Sequence, residues 1–284
     1  MNINITIDPY IPVSQRGIAF QRIASFVYSS MYACLYEDEH VLDSVQQELA
    51  LLVKVSPFME RSFSEGRLWL IWALNYLLNN DILEDSPKIK DECLRLYSRP
   101  DVIWDPCPTY VPRNERHIDA EGVVLATWLS DEDNLGRYKI QEWAISHINY
   151  LHRLFESGNK FYPSCSISES FVHSALFFLQ KMDQYNVYPF KVKPIIRMLS
   201  DNIEIMEDSV NRNIGIIVRD KISSANIDNT LSESEKLASA FFLFLYGILC
   251  DSSLDDVLPS PKLIEDQCLS IETFIWKAHS KISR

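Results

Sequence analysis

Three stretches of this chain are apolar on every side of a helix, and they restrict its fold more than any other feature. The first reads Leu68, Trp69, Leu70, Ile71, Trp72, Ala73, Leu74. The second carries Ala175, Leu176, Phe177, Phe178 and Leu179, and the third Ala240, Phe241, Phe242, Leu243, Phe244 and Leu245. A helix with no polar face has to be surrounded by protein. Other segments carry only one stripe: Leu42, Val45, Leu49 and Leu52; Ile145, Ile148, Leu151 and Phe155; Ile196, Leu199, Ile203, Met206 and Val210. Striped helices sit on an outer surface. The two kinds alternate, which predicts inner and outer helices paired as hairpins.

Periodicity predicts ten helices, over 17–35, 41–55, 65–79, 87–97, 120–129, 135–155, 169–184, 194–210, 233–250 and 261–282. Glycine occurs only 7 times in 284 residues. Sandwiches and nucleotide-binding α/β folds need many glycines for turns and phosphate loops, so the scarcity points the same way. Val13-Ser14, Phe63-Ser64, Ile118-Asp119, Ile167-Ser168 and Leu231-Ser232 each place a capping residue after an apolar one. The capping positions stand 50, 55, 49 and 64 residues apart. A capping oxygen accepts from a free first-turn amide, and the residue before it can staple onto the helix. Five such starts at a near-constant period predict about five helical hairpins in one domain spanning 1–284.

The formal net charge of −12 disfavours nucleic acid and anionic membrane surfaces as partners. The longest apolar run, 237–250, is broken by Ser239 and Gly247 and is too short to span a bilayer. The first residues show no basic start or apolar stretch of a secretory signal. A cytoplasmic location is expected, with six reduced cysteines, none of them in a C-x-x-C pair.

The segment 64–84 resembles the inner-helix repeat of lanthionine synthetase C-like proteins. Ser64, Gly66, Trp72, Tyr76 and Leu77 match that repeat, whereas Trp69, Ile71 and Ala73 stand where the family has glycine. A second copy over 167–191 keeps Ser168 and the Tyr188-Pro189-Phe190 exit. The resemblance implies an (α/α) toroid, closed or open, and a place in the maturation of ribosomally made peptides. The family's cyclases hold zinc with a cysteine and an adjacent Cys-His pair. Here none of the six histidines adjoins a cysteine, so no metal and no cofactor are expected. The expectation is a non-catalytic accessory protein with a peptide or protein partner. The competing readings are an (α/α)-barrel glycan hydrolase or lyase using paired carboxylates, and a helical-repeat interaction scaffold.

Candidate residues follow from these readings. Glu169 and His173, one helical turn apart, could form a general-base pair. The alternative is a buried, hydrogen-bonded histidine. Cys107 and His117 are the nearest Cys/His pair but have no further ligand at a known spacing. His147 and His152 lie about 140° apart on a helix and cannot easily chelate one metal. Asp131-Glu132-Asp133 and Asp255-Asp256 fall in predicted turns. The proline-rich stretch 99–117 supplies Trp104, Tyr110 and Arg113, the residue types that most often dominate binding energy. The polar stretch 211–230 carries Ile214, Ile216, Ile217 and Val218, which predicts a short strand or an extra helix.

Overall fold

The computed structural model describes residues 16–56, 59, 66–84, 87–97, 120–129, 137–156, 169–222, 224–250, 257–267 and 271–282. Among these residues the chain is all-α apart from one two-residue strand pair. The helices are α1 (Arg16–Tyr36), α2 (Glu39–Val55), α3 (Arg67–Asn79), α4 (Pro87–Tyr97), α5 (Ala120–Leu129), α6 (Arg137–Glu156), α7 (Glu169–Gln184), α8 (Pro189–Ile203), α9 (Ser209–Arg219), α10 (Glu233–Leu245), α11 (Pro261–Asp266) and α12 (Glu272–Ile282). Strand β1 (Ser224–Ala225) pairs in parallel with β2 (Leu249–Cys250), joining the exits of α9 and α10.

The alternation read from the sequence appears as packing. Helices α2, α4, α6 and α8 each lie against the helix before them. Helix α1 packs on α3, α3 on α5, α5 on α7, α7 on α9, α9 on α10, α10 on α12, and α12 returns to α1. In α3 every residue from Arg67 to Leu78 is buried, whereas α2 buries only Val45 and Leu52. One stripe is shifted from the expected position. In α6 the buried side is Ile140, Ala144, His147, Ile148, Leu151 and Phe155, and Ile145 is exposed.

Several boundaries differ from the periodic reading. Helix α8 begins at Pro189, five residues before Pro194, and ends at Ile203. Pro189 sits in the first turn, where its missing N–H costs no bond. The chain then turns, and Asp208 caps α9 by accepting from the Asn211 N–H at 2.8 Å. The stretch expected as an extra element is therefore this helix, which buries Ile214, Ile217 and Val218. A Cβ on Gly215 would stand 3.0 Å from Ile203, so the glycine lets α9 close on the end of α8. The predicted helix 261–282 is two helices, α11 and α12.

Of the five expected start signals, Ser232 alone lies within the described residues. It forms a full capping box with Glu235. Helix α3 starts at Arg67 behind Gly66, two residues later than Ser64 would place it. Gly66 has φ +131°, and a Cβ there would meet the Met59 sulfur at 3.0 Å.

The stronger repeat is at the other end of the helices. Helices α3, α7, α9 and α10 all stop in the same way, with a left-handed residue followed by an apolar one. The pairs are Asp81-Ile82, Asn186-Val187, Lys221-Ile222 and Gly247-Ile248, with φ of 54°, 55°, 55° and 68° at the first position. Each apolar residue donates its N–H to a carbonyl five residues back, for example Ile82 to Leu77 at 2.9 Å and Ile248 to Leu243 at 2.8 Å. This Schellman arrangement satisfies carbonyls that the last turn leaves without partners.

A left-handed residue with a Cβ costs about 1 kcal/mol relative to glycine. Lys221→Gly is therefore expected to raise stability by about 1 kcal/mol, and Gly247→Ala to lower it by a similar amount. Urea unfolding monitored by circular dichroism measures both.

Candidate functional site

The inner helices meet around a column of aromatic rings. Trp69, Trp72 and Tyr76 are spaced three and four apart, so they fall on one face of α3. Phe20 of α1 stacks on Trp69 at 5.5 Å between ring centroids. Trp69 stacks on Trp72, and Trp72 on Tyr76, both at 5.0 Å. Phe241 and Phe244 of α10 meet this column edge-on. The matching order of contacts shows that α3 and α10 run parallel. The Trp72 indole N–H donates to the Leu245 carbonyl at 3.2 Å, in the last turn of α10.

At the C-terminal ends of α3, α5, α7 and α10 this packing leaves a cavity of about 330 Å³. Its walls include the two stacked pairs Trp72–Tyr76 and Phe177–Tyr246, the latter 4.5 Å apart. Polar lining comes from Asn79, Asn80, Thr127, Lys181 and His279. Among the described residues none in the lining is acidic, and Lys181 is the one with a full charge at neutral pH.

Two tyrosine–histidine pairs hold the walls. Tyr76 Oη and His279 Nδ1 share a hydrogen bond of 2.8 Å. Burial drives the Tyr76 hydroxyl pKa upward and lowers His279 to about 4, so both are neutral. Tyr246 Oη and His173 Nδ1 share one of 2.7 Å. His173 Nε2 donates to Asn211 Oδ1 at 3.1 Å, which leaves Nδ1 to accept from the tyrosine. Burial lowers His173 to about 4, against a smaller opposing effect of the Asn211 bond.

The sequence-predicted catalytic pair is not assembled by this geometry. Glu169 accepts from two backbone N–H groups, Glu207 at 2.8 Å and Asp208 at 3.0 Å, and so clamps the turn between α8 and α9. His173 has no solvent exposure and both ring nitrogens engaged. Among the described residues no hydrogen bond joins the two, and neither lines the cavity. His147 is buried against the edge of Phe178, while His152 on the same helix is half-buried. Among the described residues no three His, Cys, Asp or Glu side chains are placed to hold a metal ion, and no helix is long and apolar enough to cross a membrane.

Trp104, Tyr110 and Arg113 lie outside the described residues, as do Cys107, His117 and the acidic groups 131–133 and 255–256. Tyr246, Lys181 and His279 were not singled out by sequence reasoning. Their one signal was position, since Lys181 and Tyr246 each fall just before a left-handed helix stop. Compared with known proteins, the chain matches no family model, no curated protein and no solved structure.

The two buried histidines make stability depend on pH. Their unfolded pKa is about 6.5, against about 4 when folded. Between these values the unfolded chain binds protons that the folded chain refuses. Their contribution is complete above about pH 6.5 and is lost as the pH falls toward 4. The expected loss is on the order of 3 kcal/mol per histidine. Urea unfolding across this window measures it, and His173→Gln is expected to reduce the slope by about one proton.

Proposed function

We propose that this chain is a non-catalytic binding protein of the lanthionine synthetase C-like kind, accessory to the maturation of ribosomally made peptides. The proposed architecture is an (α/α) toroid. The inner helices support it, since their packing order runs from α1 through α3, α5, α7, α9, α10 and α12 back to α1. The positions of α2, α4, α6 and α8 on their neighbours support it as well.

One observation carries the non-catalytic reading: the open space lies at the C-terminal ends of the helices, with Trp72 and Phe177 as walls, while between the inner helices Trp69 and Trp72 are fully buried, where a cyclase would need open space for a peptide and a metal. Trp69 stands where the resemblance expects glycine, and a ring in place of a hydrogen atom occupies that space. The missing Cys-His dipeptide agrees, because zinc-activated thiolate chemistry needs those ligands. A glycan hydrolase needs two facing carboxylates, and among the described residues the cavity lining supplies none. A helical-repeat scaffold shares the buried tryptophans and differs only in the partner it holds.

The test uses a peptide carrying a cysteine and a dehydroalanine, with zinc supplied. Thiol addition leaves the peptide mass unchanged but removes a thiol that can be alkylated. The expected outcome is saturable binding with full retention of that thiol. Zinc-dependent loss of the thiol would overturn the reading. Trp104, Tyr110 and Arg113 remain the proposed partner contacts. Trp104→Ala and Tyr110→Ala are each expected to weaken partner binding by at least about tenfold. Their melting temperatures should stay within about 2 °C of the parent.

A further inference from the structure

The cavity at the C-terminal ends of the inner helices differs in charge from the rest of the molecule. The chain carries a net −12, yet among the described residues the cavity lining holds one lysine and no carboxylate. Among the described residues no carboxylate lies within ion-pair distance of Lys181 Nζ, which stands 5.9 Å from the Phe177 ring centroid. The stacked pairs Trp72–Tyr76 and Phe177–Tyr246 line the same space, and Lys181 Nζ lies over the Phe177 ring. Apolar walls with one ammonium suit an anionic head on an apolar body.

A volume of about 330 Å³ is at the small end for ligand sites. A continuous chain segment has to enter and leave such a space, whereas a chain end enters once. We propose, resting on the peptide-binding reading above, that this cavity takes the carboxylate terminus of a peptide. Lys181 pairs the carboxylate and the rings of Trp72, Tyr76, Phe177 and Tyr246 enclose the last side chain.

Four helix C-termini point their negative ends at the same space, which opposes an anion there. The Schellman bonds of α3, α7 and α10 occupy some of the carbonyls concerned. Lys181 has to supply the remaining attraction, so the carboxylate preference depends on this one side chain. A lysine in a last helical turn also complements its own helix dipole, and the experiment separates the two roles.

The probes are the dipeptide acetyl-Leu-Phe with a free carboxylate and the same dipeptide as its amide, titrated calorimetrically into the full chain. The acid is expected to bind at least about tenfold tighter than the amide. Lys181→Met is expected to bring the acid down to the affinity of the amide, with the melting temperature within about 2 °C. Lys181→Arg is expected to keep the preference, and Thr127→Phe, which fills the cavity, to weaken both probes. Equal binding of acid and amide, unchanged acid affinity in Lys181→Met, or no saturation by about 10 mM would each overturn the site. Equal binding with retention of the peptide thiol leaves the binding-protein reading standing. Acid-selective binding by a chain that consumes the thiol leaves the site standing and removes that reading.

Discussion

The stacking of α3 against α10 is the contact on which the rest of the structure depends. Trp69, Trp72 and Tyr76 present one continuous aromatic face, and Phe241 and Phe244 meet it edge-on. These two helices are far apart in sequence, Trp72 and Leu245 being 173 residues apart, so their contact closes a long loop. Aromatic pairs contribute about 0.5–1.5 kcal/mol each beyond the area they bury. Polar bonds fix the register. The Trp69 N–H reaches the Phe20 carbonyl and the Trp72 N–H reaches Leu245, so a slide of either helix would bury an unpaired donor.

The same column explains where space is left over. Helices α3, α7, α9 and α10 stop in one Schellman geometry, and the chain turns sharply after each. Beyond Tyr76 and Tyr246 the large side chains give way to Asn79, Asn80 and Gly247. A Cβ on Gly247 would meet nothing within 4 Å. The cavity thus follows from the way the helices end.

Buried polar groups at the centre are committed to structure. His173 links α7 to α9 and to the end of α10, and His279 links α12 to α3. Glu169 holds the turn that α9 needs in order to start. Such bonds contribute little net free energy when made, but the loss of one partner leaves a desolvated group. A Glu and a His one turn apart therefore resemble an acid–base pair in sequence while each serves a different joint in the fold.

The helical class was legible in the sequence because burial imposes periodicity. A stretch apolar all round, as 68–74 of α3, 175–179 of α7 and 240–245 of α10 are, cannot sit at a surface, and a single stripe such as Val45 and Leu52 cannot sit at the centre. The Ser232 capping box was readable for the same local reason, since its donors and acceptors lie within four residues. The helix stops were written just as locally, as Asp81-Ile82, Asn186-Val187, Lys221-Ile222 and Gly247-Ile248. Only one of the four uses glycine, so composition hid them. Helix α9 was half visible, because its isoleucines were plain and its polar start was not. What tertiary structure alone decided is which residues meet across the core. Nothing local to Tyr76 points to His279, and nothing local to His173 points to Tyr246 or Asn211. Lys181 is an ordinary last-turn lysine until α3, α5 and α10 bring their ends beside it. Those partners are chosen by which helix faces which, and that choice rests on contacts dozens to hundreds of residues apart.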